Sequence, residues 1–222
     1  MSSKPSSNTP PPSEIPSQRP VAVIDIGATS IRMAIAEIDA SGSFRSLESL
    51  TQAVALGKDT FTGRRIRKPA MEDCVRVLKS YRRLLQEYGI TRPDQMRVVA
   101  TSAVRESLNR LAFIDRIFIA TGLEVEVLDE AEVNRITYLG IQPFLQSDPS
   151  LAQSRTVVVE IGSGSTELLM VRGGNVIFSN TYRLGSLRLL SQLESYTVPQ
   201  GKLHQLMERQ IERFVDQITE QL

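Results

Sequence analysis

Two segments of the chain repeat one pattern of residues that could hold phosphate groups. In each, an apolar run ends in an acid, and a turn rich in Gly, Ser and Thr leads into a second apolar run. The first acid is Asp25, before a turn at 27–30, and the second is Glu160, before a turn at 162–165. Free backbone N–H groups in a tight turn form a nest for anions, and a carboxylate beside it can hold Mg²⁺ or a water molecule. Two such turns facing across a cleft would hold a polyanionic phosphate chain from both sides.

Each turn alone is weak evidence, because a glycine in a hairpin commonly serves only to adopt a positive φ angle. The repetition strengthens the interpretation, since both copies share the order acid, isoleucine, glycine, two further residues and serine. We therefore predict two hairpin tips that bind phosphate through backbone N–H groups and hydroxyls. Asp25 and Glu160, the acids beside these tips, are the candidate ligands for Mg²⁺.

The composition limits the classes of function to consider. A chain of 222 residues can bury a substantial core, and its net charge of +1 gives no basic field for nucleic acid. The single cysteine, Cys74, excludes an internal disulfide framework and is expected in the core, and the single His204 argues against histidine chemistry. No apolar stretch has membrane-spanning length and no signal-peptide pattern is seen, so we expect a cytoplasmic protein that binds neither nucleic acid nor membranes.

The first half of the chain predicts a mixed α/β domain that positions the first turn. Residues 1–20 are rich in Ser and Pro and are expected to form a disordered tail. The apolar periodicity then predicts strands at 21–26, 31–38 and 44–56, a loop at 57–68, a helix from Pro69 to about Gly89, a strand at 98–100, a helix at 109–121, a strand at 123–128 and a helix at about 130–145.

The second half restarts the same strand pattern. A loop at 146–155, which contains Asp148-Pro149, is predicted to separate two domains, at 21–146 and 155–222. After it, strands are expected at 156–161, 167–172 and 175–182, and helices at 186–194 and 199–221. Since these elements repeat only the beginning of the first domain, we expect the second domain to be partial.

Five ordered stretches resemble the exopolyphosphatase/guanosine pentaphosphate phosphatase (Ppx/GppA) family of the actin/hexokinase/Hsp70-like ATPase superfamily. They are the two turns and residues 100–110, 128–140 and 184–188. The resemblance implies an α/β, ribonuclease-H-like (actin-like ATPase) fold, with one complete domain followed by a partial second one. It also implies an Mg²⁺-dependent phosphohydrolase that cleaves the terminal phosphoanhydride of inorganic polyphosphate or guanosine pentaphosphate. Members of the family often form homodimers.

The resemblance further implies roles for individual residues. Glu160 would hold the metal or a water, and Glu167 matches another acid of the family with a similar role. Arg105 would clamp phosphate bidentately, although an ordinary salt bridge with Glu106 or a neighbour is the simpler role for it without the resemblance. The implied phosphate ligands are Gly27, Thr29, Ser30, Arg32, Arg105, Gly162, Ser163, Gly164 and Ser165.

The chain departs from the family pattern at the catalytic base. Alignment on Arg135 and on residues 138–140 places Val133 where the family has a glutamate, and loss of a general base typically costs about 10²–10⁴-fold in rate. A local shift of the helix start could bring Glu130 or Glu132 to the cleft, or these acids could merely complement the helix dipole, which is the favoured role for Glu130. The catalytic candidates are therefore Glu132, Glu160 and Glu167. Two functions stay open, a phosphohydrolase and a sensor that binds phosphate chains or nucleotides without cleaving them.

A run of basic residues at 64–68 also has two interpretations. Its three arginines and one lysine could line a channel for a long polyanion. Charged runs on loops are more commonly just solvated, and we favour that interpretation from the sequence.

Overall fold

The computed structural model describes residues 19–195 and 200–221. The expected disordered tail lies outside the described residues, except that Arg19 and Pro20 already belong to the first strand. The elements are β1 (Arg19–Ile26), β2 (Ser30–Ile38), β3 (Phe44–Ala53), α1 (Leu56–Gly63), α2 (Lys68–Glu87), β4 (Met96–Ala100), α3 (Ser102–Arg105), α4 (Arg110–Thr121), β5 (Val125–Val127), α5 (Glu130–Ser147), α6 (Pro149–Gln153), β6 (Arg155–Ile161), β7 (Thr166–Arg172), β8 (Asn175–Tyr182), α7 (Ser186–Ser195) and α8 (Gln200–Thr219).

The first sheet contains five strands in the order β3-β2-β1-β4-β5. β1, β2 and β3 form an antiparallel meander, as predicted, and β4 and β5 extend the sheet in parallel from β1. Alternate residues of β2, from Ile31 to Ile35, are fully buried, because one face of the sheet is covered. Cys74 of α2 lies in this core, where burial raises the pKa of its thiol to about 12, so it is a packing residue.

The second sheet contains three antiparallel strands in the order β6-β7-β8. The central strand β7 is buried from Thr166 to Val171, whereas β6 exposes the apolar side chains of Val157, Val159 and Ile161. In the sequence, the strands of the first sheet come before the predicted boundary at 146–155 and those of the second sheet begin at its end. The domain limits themselves stay a prediction. None of the helices in 19–195 and 200–221 combines the length and apolarity needed to cross a membrane.

Two predicted loops are partly helical. Residues 57–68 were expected as a loop, but most of them belong to α1, which ends at Arg64 with φ 54°. The buried carboxylate of Asp59 holds the segment that follows, since it accepts from the backbone N–H of Arg67 at 2.9 Å. The segment 146–155 contains α6, where Asp148 caps the helix by accepting from the N–H of Ser150 at 2.8 Å. Neither helix has an apolar periodicity that would reveal it in the sequence.

Candidate phosphate-binding site

The two repeated turns have the same backbone geometry. The N–H of Gly27 donates to the carbonyl of Ser30 at 2.9 Å, and the N–H of Gly162 donates to the carbonyl of Ser165 at the same distance. Within the part of the chain that the structure describes, the N–H groups at positions 28, 29, 163 and 164 have no acceptor. Each turn thus presents two adjacent free donors, which is the arrangement of an anion nest.

The first turn is held from behind by the segment between β3 and α1. The N–H of Val54 donates to the carbonyl of Thr29 at 3.0 Å, and the N–H of Gly57 donates to the carbonyl of Ala28 at 2.8 Å. The carbonyls of Ala28 and Thr29 are thus bonded to the protein, whereas their own N–H groups have no acceptor in the described residues. The helix α1, which sequence reasoning missed, therefore fixes the predicted tip.

The second turn is held by the start of α7. The N–H groups of Ser186 and Leu187 donate to the carbonyls of Gly162 and Ser163 at 3.1 and 3.0 Å. Gly185 approaches the turn so closely that a Cβ atom there would lie 2.5 Å from the backbone nitrogen of Gly164. Only glycine fits at such an approach, which explains the Leu-Gly-Ser stretch at 184–186.

The second turn also contacts the first domain directly. A Cβ atom on Gly164 would lie 2.3 Å from Ser102 Oγ and 2.7 Å from Phe61 Cζ. The carbonyl of Gly164 accepts from Arg188 Nε at 2.6 Å, and the Arg188 guanidinium lies over the Phe61 ring at 4.2 Å. These contacts bring the two predicted tips to one cleft.

Three acids meet at this cleft, and two of them have perturbed pKa values. Burial raises the pKa of Asp25, with Arg32 opposing and the charge of Glu160 adding to the rise. Burial likewise raises the pKa of Glu167, which is 5 % exposed, while its hydrogen bond from Ser165 Oγ at 2.6 Å opposes the rise. Glu160 pairs with Glu167 across the β6–β7 ladder, and its charge raises the pKa of both Asp25 and Glu167.

The acids fit a magnesium ion that is shared with a substrate. Asp25 Oδ1 is buried without a hydrogen-bond partner, an arrangement that a cation would satisfy. No cluster of three or more His, Cys, Asp or Glu residues in the described ranges forms a complete metal site. Mg²⁺ commonly takes one or two carboxylates and completes its shell with water and substrate phosphates, so Asp25 and Glu160 suit it.

The two arginines predicted to bind phosphate lie near the acids. Arg32 lies across the β1–β2 ladder from Asp25 and is exposed. Arg105 donates from Nη1 to the carbonyl of Leu128 at 2.8 Å, and its charge lowers the pKa of Glu167, so it lies near the acids. Arg105 also forms an ion pair with Glu130 at 3.8 Å, so the simpler salt-bridge role is met by Glu130, whereas Glu106 pairs with Arg183 and Arg188.

The structure does not bring Glu132 to the tips. Its carboxylate accepts from Arg135 Nε at 2.7 Å and from Arg97 Nη2 at 3.4 Å. Hydrogen bonds from Arg135, and then from Arg97, hold the pKa of Glu132 at about 2, too low for a proton acceptor. Arg97 pairs with Val23 in the sheet, three residues before the end of β1, so these bonds draw Glu132 away from the turn. Asp129 caps α5 by accepting from the N–H of Glu132, and this cap fixes the first turn of the helix.

A further residue of the site lies on the same helix and was not predicted. Thr137 Oγ1 donates to Glu160 Oε2 at 2.8 Å. Val133 precedes Thr137 by one turn and shares its face of α5, so the position of the missing base lies on the side of the helix that meets Glu160. The spacing of four residues from Val133 was the one signal in the sequence that could have indicated Thr137.

The paired sheets, with a turn of the same backbone geometry after the first strand of each, define an α/β protein of the actin-like ATPase fold. Residues 34–222 match the model of the Ppx/GppA phosphatase family, and the chain belongs to this family. The fold and the family expected from the sequence are therefore confirmed.

Individual relatives agree with this assignment. The chain is 27% identical over 172 residues to the bifunctional 3-dehydroquinate synthase/phosphatase of Fusobacterium nucleatum, over 76% of this chain and 25% of that protein. It is 30% identical to a solved Ppx/GppA family member from Aquifex aeolicus, with a TM-score of 0.64 over 79% of this chain and 55% of that one. A solved exopolyphosphatase from Cytophaga hutchinsonii is 26% identical, with a TM-score of 0.70 over 78% and 53%. The chain thus spans about half the length of these two solved relatives.

Proposed function

We propose that the chain is a phosphohydrolase that removes the terminal phosphoryl group of inorganic polyphosphate or guanosine pentaphosphate. One observation carries the proposal: two turns with free N–H groups meet at a cleft that also contains three carboxylates. Membership of a phosphatase family supports the same reaction class. The arrangement suits a substrate with several linked phosphates, because donors are present on both sides of the cleft.

The reaction would be an in-line attack of water on the terminal phosphorus. The bond from the water oxygen to phosphorus forms as the bond to the bridging oxygen breaks, and the leaving phosphate keeps the electron pair. The turns, Arg32 and Arg105 would hold and orient the phosphate oxygens. Mg²⁺ held by Asp25 and Glu160 would neutralise charge on the transferred group.

Glu167 is the residue best suited to accept the proton of the attacking water. It is ionisable and buried beside the second turn, and its pKa is raised by burial, which makes it a better base than an exposed carboxylate. Ser165 holds one carboxylate oxygen through its hydroxyl and leaves the other available. Glu167 would thereby take the role that Val133 cannot perform.

A sensor that binds phosphate chains without cleaving them is the second candidate. Val133 favours it, since this side chain, one turn before Thr137 on the same face of α5, cannot take a proton. Under this proposal the turns and arginines act as described above, but the chain releases its ligand unchanged.

Orthophosphate release from long-chain polyphosphate, with and without Mg²⁺, tests the two proposals. The enzyme proposal expects Mg²⁺-dependent release by the wild-type chain and its loss in Glu167→Gln, while polyphosphate binding persists. Binding by the wild type without any release above the Glu167→Gln level would establish the sensor. Absence of both binding and release would contradict both proposals.

A further inference from the structure

A basic cavity lies beside the proposed site, and of its charged lining residues only Arg105 has a role in the proposed reaction. Its volume is about 570 Å³, and it lies between α1, α3 and the start of α7. Its charged lining consists of Arg64, Arg105, Glu106, Arg183 and Arg188. Four guanidinium groups face one carboxylate, so the cavity carries an excess of positive charge.

The single carboxylate is already engaged. Glu106 pairs through one oxygen with Arg188 and through the other with Arg183. Arg188 is saturated, since it also bonds the carbonyl of Gly164 and covers Phe61, and only 4 % of its side chain is exposed. Arg183 is different because 70 % of its side chain is exposed, which leaves guanidinium donors available in the cavity.

Arg64 pairs with no carboxylate among the described residues. Within the ranges that the structure describes, its side chain has neither an ion pair nor a hydrogen bond. Its backbone is fixed, because its N–H donates to Thr60 at 2.9 Å and its carbonyl accepts from Leu108 at 2.9 Å. An arginine held rigidly at the wall of a basic cavity, with its donors free, is suited to an anion.

The basic run predicted at 64–68 is therefore divided by the structure. Arg67 is occupied by Asp59, which accepts from its Nε at 2.5 Å. Among the residues of the run, Arg64 lines the cavity, whereas positions 65–68 do not. The run is neither a continuous channel nor simply solvated.

We infer that this cavity binds the phosphate groups of the substrate chain that lie beyond the scissile one. Arg105 joins the two sites, because it lines the cavity and also lies beside the acids of the cleft. A phosphate chain that leaves the turns past Arg105 reaches Arg64 and Arg183, whose free donors match its oxygens. The inference rests on the proposed function only in taking a phosphate chain as the ligand, since it requires no turnover.

Binding of long-chain polyphosphate, measured by calorimetry in Mg²⁺-free buffer, tests the inference. The double variant Arg64→Gln/Arg183→Gln should bind about 10- to 100-fold more weakly than the wild type, because two charged hydrogen-bond donors are lost. The matched control is Arg65→Gln/Arg172→Gln, which removes the same charge from exposed positions outside the cavity. It should bind within about threefold of the wild type.

Orthophosphate distinguishes a chain held in both sites from a free anion in the cavity. A single phosphate at the turns should bind equally to the wild type and the double variant. A loss of orthophosphate affinity as large as that for the long chain would overturn the inference, as would equal losses in the two double variants. Polyphosphate that binds through Arg64 and Arg183 but is never hydrolysed would refute the phosphohydrolase and leave this inference intact.

Discussion

Arg32 and Glu167 stand at equivalent positions of the two repeated hairpins and carry opposite charges. Each lies directly across its ladder from the acid before the turn, so Asp25 faces a guanidinium whereas Glu160 faces a second carboxylate. The first hairpin therefore combines an acid with a cation that attracts phosphate. The second concentrates negative charge where, under the proposed function, a metal ion and a water would bind. The two hairpins share one backbone geometry, and the difference between Arg32 and Glu167 gives them opposite charges.

Replacement of Glu167 by glutamine should remove the proton acceptor. We expect orthophosphate release from polyphosphate to fall by about 10²-fold or more, because a general base typically contributes this much. Burial raises the pKa of Glu167 above its usual 4.5, and only the ionised form accepts a proton. Activity of the wild type should therefore rise with pH through an acidic limb that lies above pH 4.5 and is missing in Glu167→Gln. Rates measured across acidic and neutral pH check both expectations.

Glu132→Ala is the matched control for that variant. It removes a carboxylate of the same type from an exposed ion-pair network with Arg97 and Arg135. We expect activity within about twofold of the wild type and a stability loss below about 1 kcal/mol. Loss of turnover in Glu132→Ala with an unchanged Glu167→Gln would show that the base lies on α5 after all.

The repeated turns could be predicted from the sequence because their chemistry is local. Hairpins with glycine, serine and threonine form from neighbouring residues, and both turns and their strands are confirmed. The helix α1 could not be predicted, since its residues 56–63 lack an apolar stripe, and it is stabilised by its contact with the first turn and by the bonds from Arg67 to its Asp59. The pairing of Glu106 with Arg188 could not be predicted from the sequence either, because the two residues are 82 positions apart.

Restoration of a glutamate at position 133 should increase activity. Val133 is half-buried and shares its helix face with Thr137, which bonds Glu160, so a carboxylate there would reach the region of the three acids. Val133→Glu should raise orthophosphate release by about 10²-fold if the wild type lacks an efficient base. Ala131→Glu adds the same charge at an exposed position on the other side of α5 and should have no effect. Equal rates in the wild type and Val133→Glu would indicate that Glu167 already serves as an adequate base.

Asp25→Asn should stabilise the ligand-free chain at neutral pH. Burial raises the pKa of Asp25 above 3.8, so the folded state binds this proton more tightly than the unfolded state does. The free energy of unfolding then falls as pH rises from 3.8 through the raised pKa of the folded state. An asparagine does not ionise and therefore avoids this loss of stability. The unfolding midpoint of Asp25→Asn should exceed that of the wild type at neutral pH, and the difference should vanish below pH 3.8.

Magnesium should reverse the order of the two unfolding midpoints, so that the wild type becomes more stable than Asp25→Asn. Mg²⁺ that binds at Asp25 raises the wild-type midpoint by mass action and leaves Asp25→Asn unchanged. Asp115→Asn, on the exposed face of α4, should behave like the wild type at every pH and Mg²⁺ concentration. A midpoint of Asp25→Asn that responds to Mg²⁺ as strongly as the wild type would exclude Asp25 as a ligand.

The two arginines that share Glu106 should differ in their effect on stability. Arg188 is buried and holds the carbonyl of Gly164, so Arg188→Met leaves a buried acceptor unpaired and should cost about 2–4 kcal/mol. Arg183→Met removes an exposed partner of the same carboxylate and should cost less than about 1 kcal/mol. Urea unfolding measures the change in the free energy of unfolding for each variant, provided that the m-values of the variants equal that of the wild type. Because Arg188 also fixes the second turn, its variant should bind polyphosphate more weakly even where it is fully folded. Equal stability losses in the two variants would mean that the surface pair, and not the bond to Gly164, fastens the second turn to the first domain.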